Sequence, residues 1–390
     1  MPSVNPPRGM RDLLPAEKQK REQLISLIRD TYAARGFQEI ETPAVEAIER
    51  LTSGQGGDNE KLVFKVLKRG EELEKAMAEK SELSDLGLRF DLTVPLTRYF
   101  ASNRGNLPRV LKAIQIGPVW RAERPQKGRY RQFLQCDIDI LGEASELAEL
   151  ELISASLAAL DAIGLTKATI RINDRRLLKK ALDAAGVMDN QEAAMIAIDK
   201  LDKIGLEGVA KEIESGWGAE VASNVSSWLS VTEDSWPEEL SWVAKLGNSA
   251  ERLRYDPSLV RGMGYYTGAI FEIEYPGADS SIGGGGRYDE MVGRWAGTDT
   301  PAAGISLGIE RIIDIAALEQ GSTKSLVVLI DEDVSAALSL QAQLIAEGYT
   351  VRLERKAKNL KAQLEELAAS GFESFAFMAE REALEIKPLS

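Results

Sequence analysis

One segment decides the predicted fold: RAERPQKGRYRQFLQCDIDILG, which runs from Arg121 to Gly142. Apolar and polar residues alternate along VLKAIQIGPVW before it and along its second half, which is typical of β-strands. Between the two stretches lie Pro125, Lys127 and Gly128, which favour a turn. The segment therefore predicts an antiparallel hairpin with cationic side chains at its loop.

The return strand of this hairpin carries polar side chains on one face. Because alternate residues of a strand point the same way, Gln135, Asp137 and Asp139 share a face with Arg131 and Phe133. Carboxylates beside arginines suit a ligand with both phosphates and a cationic group, such as ATP together with an amino acid. A charged, solvated surface hairpin is an equally good interpretation of this segment alone.

The composition is that of a globular protein. The chain has 390 residues, of which 44% are hydrophobic and 28% charged, which suggests two or three domains. No apolar run reaches the ~18 residues that span a membrane, and the N-terminus MPSVNPPRGMRDLLP has no apolar core of a signal peptide. We expect a cytoplasmic protein without a membrane segment.

The chain contains no histidine and a single cysteine. An imidazole base, nucleophile or metal ligand is therefore excluded. Cys136 can form no internal disulfide, and without a partner Cys or His it is a poor metal ligand. We expect it to be buried as a small apolar residue, and we predict no metal site formed by protein side chains.

The formal net charge is −13, which argues against general coating of nucleic acid. A specific RNA could still dock on local basic clusters. Two such clusters are candidates: Lys127/Arg129/Arg131 and Lys356/Lys358/Lys361.

The order of strand and helix patterns predicts an α+β fold. A mostly antiparallel sheet flanked by helices is expected in residues 1–173 and again in 251–321, because strand patterns stop and then resume. Residues 174–250 carry only helical patterns and are predicted to be a helical insertion. Residues 322–390 alternate strands and helices, which is typical of a small α/β domain.

The segment RFDLT could bind an ammonium group. Asp91 follows a strand pattern, and Thr93 stands close enough to help it through charge-assisted hydrogen bonds. Capping of the following helix by Asp91 or Thr93 is the alternative.

The segment LVRGMGYYTG places Arg261 before a Gly-x-Gly turn, Tyr265 and Tyr266. Glycine permits close approach of a ligand to the backbone, and tyrosine provides an apolar wall with a polar tip. A tight turn with core tyrosines is the alternative.

The segments GGGGRYDEMVGR and GISLGIERI form the last cluster. Four glycines before Arg287 and Tyr288 would leave a backbone without side chains over a cleft, and Arg311, at the start of a helix, could point back to a phosphate. The run is not a P-loop, because the Lys-Ser/Thr ending is absent. By itself, a glycine run of this kind would be a linker.

Together these motifs resemble one family. Arg-x-Glu-Arg…Arg in a hairpin, followed far downstream by Gly-Ile-Glu-Arg at a helix start, resembles motifs 2 and 3 of class II aminoacyl-tRNA synthetases. The segments ERPQKGRYRQF…QCDIDILG, LVRGMGYYTG and GGGGRYDEMVGR are similar to the histidyl-tRNA synthetases in particular, and RGMRDLLP looks like their N-terminal signature. The resemblance covers nearly the whole chain and implies the class II fold.

The resemblance also implies substrates and partners. These are ATP with Mg²⁺, histidine, tRNA(His) and a second copy of the chain in a homodimer. The ATP side of the site would be arginine-rich: Arg121 and Arg311 would clamp the α- and γ-phosphates, and Arg129 would hold the tail phosphates. Glu123 would contact the adenine. Arg261 would reach the α-phosphate and the amino-acid carboxylate, and with Arg121 and Arg311 it would form the catalytic group.

On the amino-acid side, Asp91 and Thr93 would hold the α-ammonium group. A further set would enclose the histidine and read its imidazole: Gln135, Asp139, Tyr265, Tyr266 and Tyr288. Arg124 and Gln126 would meet the acceptor end of the tRNA. Because the substrate carboxylate is already ionised, the first step needs a charge clamp and no protein base, which fits a chain without histidine.

Two alternatives stay open. One is the non-catalytic, synthetase-like regulatory subunit of ATP phosphoribosyltransferase, although such relatives usually lose the motif arginines that this chain keeps. The other is an amino-acid-activating enzyme with a different acceptor, which a shortened anticodon-binding-like domain at 322–390 would permit.

Two positions depart from the family pattern. An acidic residue is common where this chain has Gly264, and a His or aromatic residue is common where it has Leu134.

Overall fold

A computed structural model describes residues 4–52, 59–125, 128–230, 236–261, 264–318, 324–330 and 333–389. The chain divides into two units, Met1–Asp12 with Gln23–Ala317 and Leu13–Glu22 with Leu318–Ser390. The predicted α+β class is confirmed, because the first unit contains a large mixed sheet with helices and the second contains a small α/β sheet.

The elements follow one another in this chain order. The strands are β1 (Gln38–Glu39), β2 (Val45–Ala47), β3 (Phe64–Leu67), β4 (Ser84–Leu88), β5 (Leu111–Trp120), β6 (Gln132–Leu141), β7 (Thr169–Asp174), β8 (Leu253–Tyr255), β9 (Ala269–Glu274), β10 (Gly283–Arg287), β11 (Ala302–Gly308), β12 (Ser325–Ile330), β13 (Thr350–Arg355), β14 (Ser374–Phe377) and β15 (Lys387–Pro388). The α-helices are α1 (Pro15–Ala33), α2 (Ile48–Thr52), α3 (Glu71–Glu79), α4 (Thr93–Asn103), α5 (Leu147–Ala162), α6 (Arg175–Ala185), α7 (Gln191–Ile198), α8 (Leu201–Trp217), α9 (Ala219–Leu229), α10 (Asp289–Ala296), α11 (Ile309–Ile312), α12 (Val334–Ala346) and α13 (Leu360–Ala369). Segments of 3₁₀ helix lie at Asn59–Leu62, Arg104–Asn106, Glu238–Arg252 and Met378–Ala383. Among the described residues, no helix combines the length and the apolar character needed to cross a bilayer.

The large sheet has the strand order β1-β5-β6-β11-β10-β9-β7-β8. The two outer pairs, β1 with β5 and β7 with β8, are parallel, and the pairs between them are antiparallel. Of the strands that follow the predicted insertion, β9 to β11 lie between β6 and β7, and β8 lies beyond β7 at the edge of the sheet. This arrangement explains why strand patterns stop and then resume along the sequence.

The predicted hairpin is formed by β5 and β6. Leu111 lies opposite Leu141, Trp120 lies opposite Gln132, and the loop turns at Gly128 with φ of 73°. Of the predicted turn residues, Lys127 lies outside the described part of the chain. The surface-hairpin interpretation is wrong, because β6 is enclosed between β5 and β11 and is buried over most of its length.

The two faces of β6 differ in chemistry. Cys136, Ile138 and Ile140 alternate on one face and are essentially fully buried, and α5 packs on β6 and β11. Burying each of these isoleucine side chains stabilises the fold by about 1.5–3 kcal/mol. The other face carries the polar residues that the alternation predicted.

The glycine run is a strand and not a linker. Gly283–Arg287 forms β10, which pairs with β9 on one side and β11 on the other. A Cβ atom at Gly284 would lie 2.5 Å from Nη1 of Arg261, and one at Gly304 would lie 1.9 Å from Oδ1 of Asp139. Glycine in these central strands therefore leaves room for polar side chains that lie over the sheet.

A smaller sheet in the first unit has the order β2-β4-β3 with antiparallel pairing. Apolar side chains on this sheet are partly open to solvent, with Val45 38% and Leu86 40% exposed. Such a face is a candidate contact surface.

The described residues from Arg175 to Arg252 are helical or irregular, as the texture of the sequence predicts. Asp174 caps α6 by accepting a hydrogen bond from the backbone N–H of Arg176, and Gly186 ends the helix with φ of 99°. The boundaries of the four predicted segments stay predictions. The helix predicted after β11 is short, because α11 ends at Ile312 and irregular turns follow.

In the second unit, the sheet order is β13-β12-β14-β15, with β12 parallel to β13 and β14. Every residue of β12 is buried. Asp333 and Asn359 cap α12 and α13. The basic cluster predicted here, Lys356, Lys358 and Lys361, is exposed between β13 and the first turn of α13.

Gly285→Ala should destabilise the large sheet, because its Cβ would lie 1.9 Å from the backbone oxygen of Gly304. We expect the free energy of unfolding in urea to fall by about 1–3 kcal/mol. Gly264→Ala is the matched control, since a Cβ there meets nothing within 4 Å. Equal effects of the two substitutions would contradict this account of β10.

Candidate active site

One cleft of about 450 Å³ is lined by all twelve residues that were predicted to bind ATP and the amino acid. They come from separate parts of the first unit: Asp91 and Thr93 at the start of α4, Arg121, Glu123 and Arg129 in the hairpin loop, Gln135 and Asp139 on β6, Arg261, Tyr265 and Tyr266 before β9, Tyr288 after β10, and Arg311 on α11. The fold thus brings together residues that are more than 200 positions apart in the sequence.

One side of the cleft is a wall of arginines. Burial lowers the pKa of Arg311, and the positive charges of Arg129, Arg121 and Arg261 lower it further. The Arg121 guanidinium lies 5.0 Å from the centre of the Phe133 ring, which helps to hold it in place. Four guanidinium groups close enough to repel one another favour a polyanionic ligand.

Asp91 lines the same cleft and lies within the electrostatic reach of Arg121. Its Oδ1 accepts a hydrogen bond of 3.0 Å from the backbone N–H of Val94, so the capping interpretation is correct for this oxygen. Its Oδ2 is buried and has no hydrogen-bond partner within the described residues. Burial raises the pKa of the Asp91 carboxyl to about 6. The residue therefore has one oxygen for the helix and one left for a cationic ligand.

Asp139 and Gln135 lie on the same face of β6. The Tyr288 hydroxyl donates a hydrogen bond of 2.6 Å to Oδ1 of Asp139, and burial raises the pKa of this carboxyl to about 7. The Gln135 amide donates to the Ser306 hydroxyl at 2.8 Å. In the described structure, Oδ2 of Asp139 and Oε1 of Gln135 are buried acceptors without a donor. Such acceptors call for a ligand that supplies N–H groups.

Three tyrosines form the apolar wall beside these acceptors. The rings of Tyr265 and Tyr266 lie 4.6 Å apart between centres, and Tyr265 meets Tyr288 edge-on at 6.2 Å. All three are buried. The rings pack on each other, so the prediction of core tyrosines is correct. The same rings also line the cleft.

Arg261 has an unusual backbone. Its φ is 60°, in the left-handed region that favours glycine. Its Nη1 lies 3.1 Å from Oε2 of Glu272, and its guanidinium rests over Gly284. A strained residue that persists in this way is typical of functional sites.

Several cleft residues were missed by the sequence reasoning. Asp137 shares the polar face of β6, so its position was predicted but no role was assigned; burial raises its pKa well above the ordinary range. Glu272 lies on β9, whose alternation could have placed it. Asp199 and Lys203 reach the cleft from the ends of α7 and α8, and nothing in the sequence indicates this contact.

Other predicted residues lie elsewhere. Arg131 donates through Nε to the carbonyl oxygen of Glu123, and its side chain packs at Gly9. Arg287 is buried in an ion pair with Glu149, with a shortest separation of 2.6 Å. Arg124 is exposed in the hairpin loop, while Gln126 falls outside the described residues.

Arginines and buried carboxyls that line one cleft on a mostly antiparallel sheet are the arrangement of a class II aminoacyl-tRNA synthetase catalytic domain. The family model Histidyl-tRNA synthetase matches residues 9–312. The chain is 50% identical to a histidine–tRNA ligase of Leifsonia xyli subsp. xyli over 99% of both chains. The chain belongs to the histidyl-tRNA synthetase family.

Solved structures agree with this assignment. The crystal structure of histidyl-tRNA synthetase from Nostoc sp. PCC 7120 is similar with a TM-score of 0.78 and 26% identity, covering 99% of this chain and 95% of that chain. An ATP phosphoribosyltransferase regulatory subunit/histidyl-tRNA synthetase from Bacillus halodurans C has a TM-score of 0.74 at 21% identity, covering 93% and 96%. The second likeness shows the fold alone.

The buried carboxyls predict a pH dependence of stability. The pKa of Asp139 is about 7 in the folded protein, whereas the ordinary value is 3.8. The contribution of this carboxyl to the free energy of unfolding is therefore fully present below pH ~4 and is lost as the pH rises through 7. When the pH is raised from ~5 to ~8, the free energy of unfolding of Asp139→Asn should increase by about 2 kcal/mol relative to that of wild type, as measured by urea unfolding. Asp85→Asn, at an exposed position, is the control. A parallel shift of all three proteins would contradict the prediction.

Proposed function

We propose that the cleft activates histidine with ATP and transfers it to the end of tRNA(His), the histidine–tRNA ligase reaction. One observation carries the proposal. A wall of four arginines lies in the same cleft as buried acceptors without donors. The wall suits the ATP phosphates, and the acceptors suit an amino acid with an ammonium group and a ring N–H.

ATP would lie against the arginine wall. Arg121 and Arg311 would hold the α- and γ-phosphates, and Arg129 would hold the phosphate tail. Their mutual repulsion in the absence of ligand means that a polyphosphate relieves a cost already present in the folded protein. Glu123, at the rim of the same cleft, would contact the adenine.

Histidine would lie in the acceptor pocket. The unpaired oxygen of Asp91, together with Thr93, would take the α-ammonium group. The unpaired oxygens of Asp139 and Gln135 would take ring N–H groups. The tyrosine wall of Tyr265, Tyr266 and Tyr288 would exclude water and cover the ring.

The chemistry needs no protein base. In the first step the ionised histidine carboxylate attacks the α-phosphorus and pyrophosphate leaves, while Arg261 and the arginine wall neutralise the charge at phosphorus. In the second step the terminal hydroxyl of the tRNA attacks the adenylate carbonyl, the bond from this carbonyl to the phosphate breaks so that AMP leaves, and a phosphate oxygen of the adenylate takes the proton. Both steps depend on positioning and charge, which is consistent with a chain that has no histidine.

Mg²⁺ would enter with the ATP. This ion keeps several waters and is usually held by one or two carboxylates together with substrate phosphates. Glu310, which lines the cleft and accepts a hydrogen bond of 2.8 Å from the backbone N–H of Leu134 through Oε2, would be one such carboxylate. The described residues contain no separate group of three or more acidic or cysteine side chains for a metal. The ion would add positive charge at the phosphates.

The regulatory-subunit alternative is less well supported. A 50% identity to a ligase over 99% of the chain weighs more than a 21% identical structure whose title names that subunit. Arg121, Arg129, Arg261 and Arg311 are also all in place around the cleft.

Histidine-dependent ATP–pyrophosphate exchange, followed by charging of tRNA(His), tests the proposal. We expect both activities from the purified chain. Absence of exchange would reject the enzyme, and exchange without charging would favour a different acceptor. Failure of charging alone would also question the proposed tRNA contacts of Arg124 and of the exposed cluster Lys356, Lys358 and Lys361.

Arg311→Ala should reduce the exchange rate by about 100-fold or more, because it removes a cation preorganised for the phosphates. Arg69→Ala, at an exposed position, is the control and should behave as wild type. Initial rates at saturating histidine and ATP measure the effect. A wild-type rate for Arg311→Ala would exclude its proposed role.

We also propose that the chain forms a homodimer through the partly open apolar sheet of β2, β4 and β3. Its exposed Val45 and Leu86 support this, since contiguous exposed apolar surface is typical of interfaces. Leu86→Glu should give monomers in analytical ultracentrifugation at micromolar concentration. Leu338→Glu, on α12 with 54% of Leu338 exposed, should leave the mass unchanged; a monomeric wild-type chain would contradict the proposal.

A further inference from the structure

The position of Arg261 depends on contacts outside its own segment. Its backbone has a φ of 60°, which a side chain normally disfavours. The guanidinium therefore needs a fixed partner if it is to meet a reacting phosphate. Glu272 on β9 is that partner, with Oε2 3.1 Å from Nη1 of Arg261.

Glu272 is shared between two arginines. Its other oxygen, Oε1, lies 3.2 Å from Nη1 of Arg171. Arg171 stands directly opposite Glu272 in the register of β7 and β9. A cross-strand pair thus sits behind the cleft residue and fixes the carboxylate from the side away from Arg261.

Arg171 is itself firmly held. Oδ2 of Asp256 accepts a hydrogen bond of 2.7 Å from its Nε and lies 2.6 Å from its Nη2, and Oε1 of Glu274 lies 3.2 Å from Nη1. Only 8% of Arg171 is exposed. Oδ2 of Asp202 also lies 3.6 Å from Nη1, so four carboxylates surround Arg171. Three of them remain when Glu272 is changed, so the link to Glu272 is not needed to keep Arg171 in place.

We propose that Glu272 and Arg171 are positioning residues for Arg261. Glu272 anchors the guanidinium of Arg261 over the glycine strand, and Arg171 takes part of the negative charge of Glu272. Without Arg171, the full charge of Glu272 would fall on Arg261, draw it toward β9 and neutralise the cation that the α-phosphate requires. Without Glu272, the strained segment would lose its anchor. The proposal rests on the proposed function, because it assumes that Arg261 acts on the phosphate.

The structure offers a matched control at the same edge of the sheet. Arg254 on β8 lies 3.3 Å from Glu274 and 4.0 Å from Asp256, two carboxylates that Arg171 also contacts. Arg254 does not contact Glu272 in the described structure, and its side chain is 61% exposed. If these charges had only a structural role, substitutions of Arg171 and of Arg254 would change the same properties of the protein.

The test compares Glu272→Gln, Arg171→Lys, Arg171→Met and Arg254→Met in histidine-dependent ATP–pyrophosphate exchange, with thermal unfolding recorded for each. A misplaced catalytic group lowers kcat far more than it raises KM. We expect Glu272→Gln to lower kcat about tenfold or more while KM for histidine and ATP stays within about twofold. Arg171→Met should lower kcat similarly, Arg171→Lys should recover part of it, and Arg254→Met should match wild type.

A double variant separates a relay from two independent effects. If Arg171 acts through Glu272, Arg171→Met should have no further effect on kcat in the Glu272→Gln background. The proposal would be overturned if the effects of the two substitutions on kcat multiplied in the double variant. It would also be overturned if the substitutions changed the unfolding temperature but not kcat. Should Arg171→Met not fold, Glu272→Gln and Arg171→Lys still decide it. Failure of the proposed function would be seen separately, as a wild-type chain without exchange or an Arg261→Ala variant with a normal rate.

Discussion

The two-faced character of β6 is the constraint on which the rest of the structure depends. One face supplies Cys136, Ile138 and Ile140 to the core, and the other presents Gln135, Asp137 and Asp139 to the cleft. A strand can carry both only in the middle of a sheet that is covered by a helix on one side and open to a ligand on the other. The neighbours β5 and β11 and the helix α5 meet this condition.

The cleft brings charges of both signs into a poorly hydrated place. Burial, together with repulsion by the neighbouring arginines, lowers the pKa of Arg311, and burial raises the pKa of Asp91 to about 6 and that of Asp139 to about 7. Each of these arrangements disfavours the empty, charged site. A ligand with phosphates at one end and N–H donors at the other would relieve both, so the strain in the protein and the specificity of the site have the same origin.

Glycine makes this arrangement sterically possible. Arg261 and Asp139 lie over β10 and β11 at Gly284 and Gly304, where any Cβ would collide with them. The glycine run that resembled a linker is therefore a strand, and its missing side chains leave the space above the backbone to neighbouring polar groups. The local pattern predicted a linker because glycine is rare in strands unless another group approaches the backbone closely.

Local patterns predicted the hairpin, the polar face of β6, the helices from α6 to α9 and the α/β character of the second unit, because each follows from periodicity over a few residues. The arginines of the wall were recognised from their motifs. Residues such as Asp199 and Lys203 could not be found in this way, since their importance comes from which helix end lies beside the cleft. Asp91 shows the same limit, because only the structure reveals that one oxygen caps α4 while the other is left over.

The sequence by itself determined most element types, the class of fold and the absence of imidazole chemistry, all of which depend on residue identity and short-range spacing. Only the tertiary structure decided that β9 to β11 enter the sheet between β6 and β7, and this placed Arg261, Glu272 and Asp139 around one cleft. Strand order is set by long-range pairing and burial, which leave no local mark in the chain. For that reason the contacts from Asp256 through Arg171 and Glu272 to Arg261 became visible only in three dimensions.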